Sequence, residues 1–487
     1  MATGGITLPR VRWAAQALAM DRRVFVCAAA LGCIVLALLV YWPRLTDYFV
    51  YDDFFFLRAV RNHSFRVVMY RAITFPKPKP FDEVTLFWRP LIDLYFYGGR
   101  VFGLHPEPYH LVNILVHGIV GALAVLFIWR VTGSVASGAV TGMLFTIAPT
   151  YDVAVTWISE VSELIGAALI LSALISYHAY LTAVKPSPLY YRGAVALTVL
   201  ALLTKESTII LLVLLPSLAL ALGTTGCRRS SNEIVRSIVP LAFLVLSFSV
   251  VMLVHDYREG GEIYGGRIGP HMVTNVWDYL KWIVLPYPDY DSLASLRTAG
   301  ASLFLAAPVL ALALRQRVLA FLALWTVTAL IPFSGFSFIG PRYTYLATLP
   351  YVAFVVSSVI AIGKTLPEPL KLISTGVFGV AVAVALVTTS FHTRDQQIPL
   401  AREAAGYETM IESVQKLCGE MPPESSVYVV DAPYRDLHGI HTPAAVNLYY
   451  DHVYAAAVEG LHPSTVFIEN TCVLQYDAAT ETYARID

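Results

Sequence analysis

Charged residues are scarce in this sequence. Only 14% of its 487 residues are Asp, Glu, Lys or Arg, whereas an ordinary soluble domain has about a quarter. The 34 basic residues match the 34 acidic ones, so no excess of positive charge indicates a nucleic-acid partner, and no repeat or low-complexity tract indicates a solenoid. With 57% hydrophobic residues and a mean hydropathy of +0.62, the composition predicts a membrane protein.

Cysteine is also rare, and its spacing matters more than its number. The five cysteines show neither paired CxxC spacing nor a cluster with histidine, which argues against a structural zinc or iron–sulfur site. We predict that no cofactor is required, and the sequence leaves dependence on a divalent metal open. Cys418 and Cys472 are the only cysteines after residue 390. A disulfide between them and two free thiols both fit the sequence.

Long apolar runs dominate what is present. Because lipid offers the backbone no hydrogen bonds, runs of this kind become membrane helices. The first run follows a basic N-terminus but is about twice as long as a typical signal core, so we predict an uncleaved first span. We predict eleven spans, near 24–42, 109–130, 136–150, 164–183, 191–204, 208–223, 235–254, 299–314, 318–333, 343–363 and 371–390.

The short connections between spans predict the orientation. One alternating set, which includes the N-terminus, holds 14 Lys/Arg and 3 Asp/Glu, and the other set holds 2 Lys/Arg and 4 Asp/Glu. Since basic connections stay in the cytoplasm, we predict a cytoplasmic N-terminus in a bacterial cytoplasmic membrane. Residues 43–108, 255–298 and 391–487 are then outside, and 1–390 form the membrane domain.

The outer segments have their own predicted structure. Residues 43–108 alternate aromatic and basic residues, a pattern typical of amphipathic helices that lie at the membrane interface. Residues 391–487 hold 5 basic and 14 acidic residues. We predict that they form a small soluble α/β domain with a helix near 400–418, strands at SSVYVVDAP, STVFIEN and TCVLQYD, and a second helix at AAVNLYYDHVYAAAV. The fold class is therefore an all-α membrane protein with this appended domain.

Acidic residues in apolar surroundings are the first candidates for a site. Asp52 and Asp53 follow the first span, where two adjacent carboxylates are costly to desolvate and suit a general base or an electrostatic anchor. A loop solvated by headgroup water is the alternative. Glu160 and Glu163 share a helix face toward one outer cavity if their stretch is helical, and Asp152 precedes them; the alternative is a solvated helix start.

Other polar residues interrupt apolar segments or border them. His110 lies near the start of the second span, where a place in a water-filled cavity competes with hydrogen bonding between helices. Lys205 and Glu206 could pair with each other or hold a substrate. Arg342 could bind phosphate oxygens, with Tyr343 and Tyr345 stacked on a ring or lying along a lipid chain, or the three could form an ordinary interfacial anchor. Lys281, in the outer loop 255–298, is a further candidate cation.

In order, these pieces resemble a known family. The acidic pair after the first span, FWRPLIDLYFYGGRVFGLHPEPYHLVNILVHGIVGALAVLF, AVTWISEVSELIGAALILSALISY, the LLTKES break and PRYTYLATLPYVAF are similar to the membrane domain of the transmembrane O-mannosyltransferases that carry tetratricopeptide repeats. They are also similar to that domain's bacterial relatives among the GT-C glycosyltransferases. The similarity covers about residues 24–390. The relatives' histidines are absent at 148–153, and no tetratricopeptide repeats follow.

The resemblance implies an enzyme. It implies a polyprenyl-phosphate sugar donor, transfer with inversion, and an active site on the non-cytoplasmic face. It assigns the base to Asp52 or Asp53, an acidic site residue to Glu163, and the arginine of its last motif to Arg342. Cations are expected to stabilise the leaving phosphate, with Arg342 joined by Lys205 or Lys281. The residues then expected to contact the acceptor or the sugar are Glu163, Glu160, Asp152, Tyr343, Tyr345 and His110. A lipid, a glycan or a protein could be the acceptor.

Two other functions remain as alternatives. Buried polar residues also mark translocation routes, so a transporter or lipid flippase is the main rival. The sequence shows neither an inverted internal repeat nor a matched pair of Gly/Pro-broken spans, which such proteins often have. A scaffold role for 391–487 is the third possibility.

Overall fold

The architecture is taken from a computed structural model, which describes residues 22–61, 63–74, 88–185, 187–259, 268–286, 293–434, 439–450, 452–460 and 470–486. All eleven apolar runs predicted from the sequence lie in helices. In the described residues, nine helices are long and apolar enough to cross a membrane, or ten if the bent pair Val135–Thr146 and Pro149–Thr156 is one span. The remaining predicted run is the shorter apolar helix Pro188–Leu202. The chain is therefore a multi-pass membrane protein.

The helices of the membrane domain alternate with short turns. In chain order they are α1 Arg22–Tyr41, α2 Asp52–Arg61, α3 Phe65–Ile73, α4 Pro90–Gly99, α5 Pro106–Thr132, α6 Val135–Thr146, α7 Asp152–Thr156, α8 Val161–Thr182, α9 Pro188–Leu202, α10 Leu211–Gly226, α11 Ser231–Glu259, α12 His271–Val284, α13 Ala294–Ala313, α14 Arg317–Ser334, α15 Tyr345–Thr365 and α16 Glu368–Gln396. The predicted domain boundary at residue 390 falls inside α16.

Small residues let the first helices approach closely. A Cβ atom at Gly118 of α5 would lie 2.8 Å from the Ile34 Cα of α1, so only glycine permits this contact. At the other end of α5, Gly133 adopts a left-handed conformation that ends the helix, and Ser134 caps α6 by accepting a hydrogen bond from the Ser137 amide. Close packing of this kind holds membrane helices together where the hydrophobic effect does not.

Helices α2, α3 and α4 occupy the predicted first outer loop. The apolar face of α2 is buried in a cluster that includes Phe54, Phe56 and Leu57 together with Tyr407 and Leu448 from the last hundred residues. In contrast, Phe65 and Tyr70 of α3 are more than half exposed. The rings of α2 therefore pack on protein, and those of α3 are free to face lipid.

The C-terminal segment forms the small α/β domain that the sequence predicts. It contains α17 Ile398–Ser413, a π-turn over Val414–Cys418, α18 His441–Val446 and a four-stranded sheet in the order β2-β1-β3-β4. The strands are β1 Ser426–Val430, β2 Tyr454–Val458, β3 Thr471–Asp477 and β4 Thr482–Arg485, with β1 parallel to β2 and β3, and β4 antiparallel to β3. A disulfide joins Cys418 to Cys472.

One element prediction in this domain is wrong. The predicted helix at AAVNLYYDHVYAAAV is helical only up to Val446, and Tyr454–Val458 is a strand. The three alanines favour a helix by intrinsic propensity, but backbone pairing with β1 over five consecutive residues outweighs that preference. Most of the predicted strand STVFIEN, at 464–470, lies outside the described residues.

Candidate functional site

Three short turns at the ends of membrane helices converge on one buried group of charges. The turn Ile158–Glu160 leads into α8, the turn Glu206–Ile210 leads into α10, and the turn Pro341–Thr344 leads into α15. Arg89 reaches the same place from the residue before α4. We call this group the ion cluster; its members are Arg89, Glu160, Glu163, Lys205, Glu206 and Arg342.

Ion pairs connect the members of the cluster. Lys205 Nζ lies 2.8 Å from Glu160 Oε2 and 3.0 Å from Glu163 Oε2. Arg342 Nε lies 3.0 Å from the other oxygen of Glu160. Arg89 binds Glu206 through two parallel bonds, Nε to Oε1 at 3.0 Å and Nη2 to Oε2 at 2.8 Å. Three cations thus face three carboxylates, and the cluster has no formal net charge.

Burial within the cluster is graded. The side chain of Glu163 is 1% exposed and that of Lys205 5%, whereas that of Arg342 is 23% exposed. Unpaired charges at such depth would be very costly, and neutral pairing reduces that cost. Arg342 is therefore the cation through which an anion from outside can reach the cluster with least rearrangement.

Aromatic rings border Arg342. Its guanidinium carbon lies 4.9 Å from the centre of the Trp157 ring and 4.7 Å from that of Tyr343, and its Nη2 donates a hydrogen bond to the Tyr343 hydroxyl at 2.9 Å. Tyr343 is stacked on Phe333 with 4.6 Å between ring centres. These contacts fix the guanidinium plane, as recognition of a phosphate requires.

The two aspartates at the start of α2 have opposite surroundings. Asp53 is 1% exposed and accepts hydrogen bonds from the amides of Val50 and Ser159, at 3.0 Å and 2.8 Å, and from the Ser159 hydroxyl. Burial nevertheless raises the pKa of Asp53 to about 7. The side chain of Asp52 is 40% exposed, and its Oδ1 lies 3.5 Å from His441 Nε2.

The aspartates and the ion cluster are adjacent. Ser159, which donates to Asp53, precedes Glu160 in the same turn. The ring of Tyr51 lies 5.4 Å from that of Trp157, which in turn contacts Arg342. Tyr51, the residue before Asp52, and the guanidinium of Arg342 thus contact the same tryptophan.

The other residues singled out from the sequence lie in different settings. Lys281 pairs with Asp278 on the half-buried surface of α12. Tyr345 is fully buried and bonds His117, while His110 bonds the backbone carbonyl of Asp47, so both tie segments of the chain together. Asp152 is buried, with one carboxylate oxygen that has no hydrogen-bond partner among the described residues.

Two features of the site were not anticipated from the sequence. Lys205 and Glu206 do not pair with each other, because they belong to separate ion pairs on different sides of the turn, and Glu206 pairs with Arg89. The contact between Asp52 and His441, nearly 400 residues apart, also has no local signal. Among the described residues, no three His, Cys, Asp or Glu side chains are grouped as ligands of a metal ion would be.

Comparison with known proteins gives a structural similarity only. No family model and no curated protein matches the sequence. Two solved structures of ArnT from Cupriavidus metallidurans are similar to the chain, one in the apo state and one bound to undecaprenyl phosphate. Each is 14% identical, covers 89% of this chain and 86% of its own, and superposes with a TM-score of 0.45. No residue role in this chain follows from a match at that level.

Proposed function

We propose that this protein is a membrane glycosyltransferase that moves a sugar from a polyprenyl-phosphate donor to an acceptor hydroxyl, with inversion. The observation that carries this proposal is the ion cluster, in which Arg342 is held partly exposed between Trp157 and Tyr343, while Tyr51, the residue before Asp52, contacts the same Trp157. Sugar transfer from a lipid phosphate needs a cation for the leaving group and a base for the acceptor, and both are present here.

Arg342 is suited to hold the phosphate of the donor. Its Nε pairs with Glu160, while its partly exposed fork remains oriented by two rings. A planar, permanently charged guanidinium binds phosphate oxygens in pairs, which an ammonium cannot do. Lys205 lies deeper and is shared by two glutamates, so it supports the position of Glu160 and reaches the phosphate only if these pairs rearrange.

Asp52 is better suited than Asp53 to act as the base. All three described hydrogen bonds to Asp53 come from protein donors and hold it inside the fold, whereas Asp52 is accessible. In the proposed step Asp52 takes the proton of the acceptor hydroxyl. The acceptor oxygen forms a bond to the anomeric carbon as the bond from that carbon to the phosphate oxygen breaks, and the polyprenyl phosphate leaves as an anion. A single displacement of this kind inverts the anomeric configuration.

The remaining predicted site residues divide between substrate contact and support. Tyr343 and Glu160 border the exposed side of Arg342, where the sugar would lie. Glu163 is shielded behind Lys205 and would act by fixing that lysine. We place this face outside the cytoplasm, because the basic short connections lie on the other side and a disulfide joins Cys418 to Cys472 in the domain beside the site.

Incubation of the purified protein with a panel of radiolabelled polyprenyl-phosphate hexoses tests the proposal. The reaction is run in bacterial lipid extract with a cell-envelope fraction as the source of acceptors. We expect one donor to be consumed, with label appearing in a product of inverted anomeric configuration. If no donor is consumed and labelled lipid instead moves between the leaflets of sealed vesicles, the protein is a transporter or flippase.

A further inference from the structure

We infer that His441 of the C-terminal domain is a positioning residue of the active site. This inference rests on the proposed function and extends it, because it makes the small α/β domain part of the catalytic machinery. The observation that carries it is the approach of His441 Nε2 to Asp52 Oδ1, at 3.5 Å, across the boundary between the two parts of the chain.

The histidine ring is held firmly in this place. The side chain of His441 is only 6% exposed. Its ring centre lies 5.3 Å from that of Tyr51, which precedes the aspartates, and 5.7 Å from that of Phe55, two residues after them. His441 is also the first residue of α18, so the backbone of that helix fixes its direction. The ring therefore has little freedom to turn away from Asp52.

The backbone next to Asp52 is shaped for the same contact. Tyr51 has a φ of 48°, a left-handed conformation that a bulky residue rarely adopts and that clusters at functional sites. Its ring contacts Trp157 of the membrane domain and both Tyr407 and His441 of the C-terminal domain. The strained residue thus lies where the two parts meet beside the candidate base.

The C-terminal domain is packed on α2 over a wider surface than this one pair. The hydroxyls of Tyr48 and Tyr449 bond each other, and the guanidinium of Arg61 donates to the carbonyl of Leu448. These contacts lie on both sides of Asp52 in the sequence. They hold α18 against the start of α2 without contacting the carboxylate themselves.

The geometry defines what His441 does. By donating to Oδ1, the Nε2 hydrogen orients the carboxylate of Asp52 so that Oδ2 is left for the acceptor hydroxyl. A distance of 3.5 Å is long for a hydrogen bond, and contacts of this kind tighten when substrate is bound. The proton taken from the acceptor stays on Asp52 during the displacement, and His441 does not exchange a proton in the step.

The test compares His441→Ala and His441→Gln with Tyr449→Phe in the full-length protein. Because a misplaced base loses about a hundredfold in rate, we expect His441→Ala to lower kcat by about tenfold to a hundredfold with the KM for the polyprenyl-phosphate sugar changed less than about twofold. His441→Gln keeps a donor and should recover part of kcat. Tyr449→Phe removes a contact at the same interface away from Asp52 and should leave kcat unchanged.

The possible outcomes separate this inference from the function on which it rests. If the wild type is active and His441→Ala keeps wild-type kcat, the inference is overturned and the function stands. Equal losses in His441→Ala and Tyr449→Phe, in step with a lower melting temperature, would also overturn it, since they indicate a merely structural interface. A wild type that consumes no donor would overturn both. If His441→Ala does not fold, the comparison of His441→Gln with Tyr449→Phe decides.

Discussion

The turn that contains Ser159 and Glu160 connects the aspartate pair to the ion cluster, yet the charges of the two groups are stabilised in different ways. In the cluster, each described charge is neutralised by another side chain, as in the pairs of Lys205 with Glu160 and Arg89 with Glu206. At the start of α2, backbone and hydroxyl donors satisfy Asp53, and Asp52 keeps 40% of its side chain exposed. A ligand that binds deep in the cluster must therefore displace ion pairs, whereas a ligand can contact the exposed part of the Asp52 side chain directly.

The largest effect is expected at the centre of the cluster. Lys205→Met leaves Glu160 and Glu163 buried without their shared cation. Breaking a buried pair in this way should lower the free energy of unfolding by about 3–5 kcal/mol. The measurement is thermal or chemical unfolding in detergent. Lys281→Met, which breaks a half-buried pair with Asp278, is the matched control and should cost less than about 1 kcal/mol. Equal losses of unfolding free energy in the two variants would mean that Lys205 contributes no more to stability than Lys281 does.

The next effect concerns the donor. Arg342→Ala should weaken binding of a polyprenyl phosphate by about 2–5 kcal/mol, the cost of removing one partner from a buried charge pair. Arg342→Lys should retain part of the affinity. Arg44→Ala serves as control, because Arg44 is similarly exposed and is also paired with a carboxylate, Asp47. Titration of the lipid into the wild type and the three variants measures this. Identical dissociation constants for Arg342→Ala and wild type would mean that Arg342 acts only as an interfacial anchor.

A smaller effect is expected in the C-terminal domain. The disulfide between Cys418 and Cys472 closes a segment with a sequence separation of 54. Replacing both cysteines by serine should destabilise the domain by about 2–4 kcal/mol, seen as earlier unfolding or faster proteolysis of that domain. Cys27→Ser, at an exposed site on α1, should change neither. Free thiols at both positions in the purified protein would dismiss the bond.

The smallest effect is a pH dependence that belongs to Asp53. Its folded-state pKa of about 7 lies above the value of an unfolded aspartate, so the folded state binds the proton more tightly. Stability should therefore fall as the pH rises toward 7, and over the single unit from about pH 6 to 7 the fall from this group should be at most about 1.4 kcal/mol. Burial also raises the pKa of Asp47, to about 6, so the difference between wild type and Asp53→Asn is the quantity to measure. Parallel pH profiles would rule out this assignment.

Elements governed by local pattern were predictable from the sequence. Every predicted apolar run is mainly helical, because in lipid a helix satisfies the backbone hydrogen bonds within the run itself. Tyr454–Val458 was predicted wrongly because its pairing with β1 comes from a segment more than twenty residues away. The pairing of Glu206 with Arg89 was missed for the same reason, since its partner lies over a hundred residues earlier and the adjacent Lys205 offered a simpler explanation.

The candidate site was also predictable only where local sequence determines it. Its residue types and their placement at helix ends were predictable from the sequence, because ionisable residues are costly in apolar membrane segments and usually mark functional sites. Which aspartate is accessible was not evident, since Asp52 and Asp53 are adjacent and chemically identical. The difference arises from Ser159 and His441, which contact them from other parts of the fold.

Turnover of labelled polyprenyl-phosphate sugar by Asp52→Asn and Asp53→Asn tests the central claim most directly. We predict that Asp52→Asn lowers the rate of transfer by about a hundredfold or more, the scale of a general base, while its melting temperature stays close to that of the wild type. Asp53→Asn should instead lower the melting temperature, and each folded molecule should retain most of its activity. Wild-type turnover in Asp52→Asn would contradict the account, because the more accessible carboxylate of the aspartate pair would then take no part in the reaction.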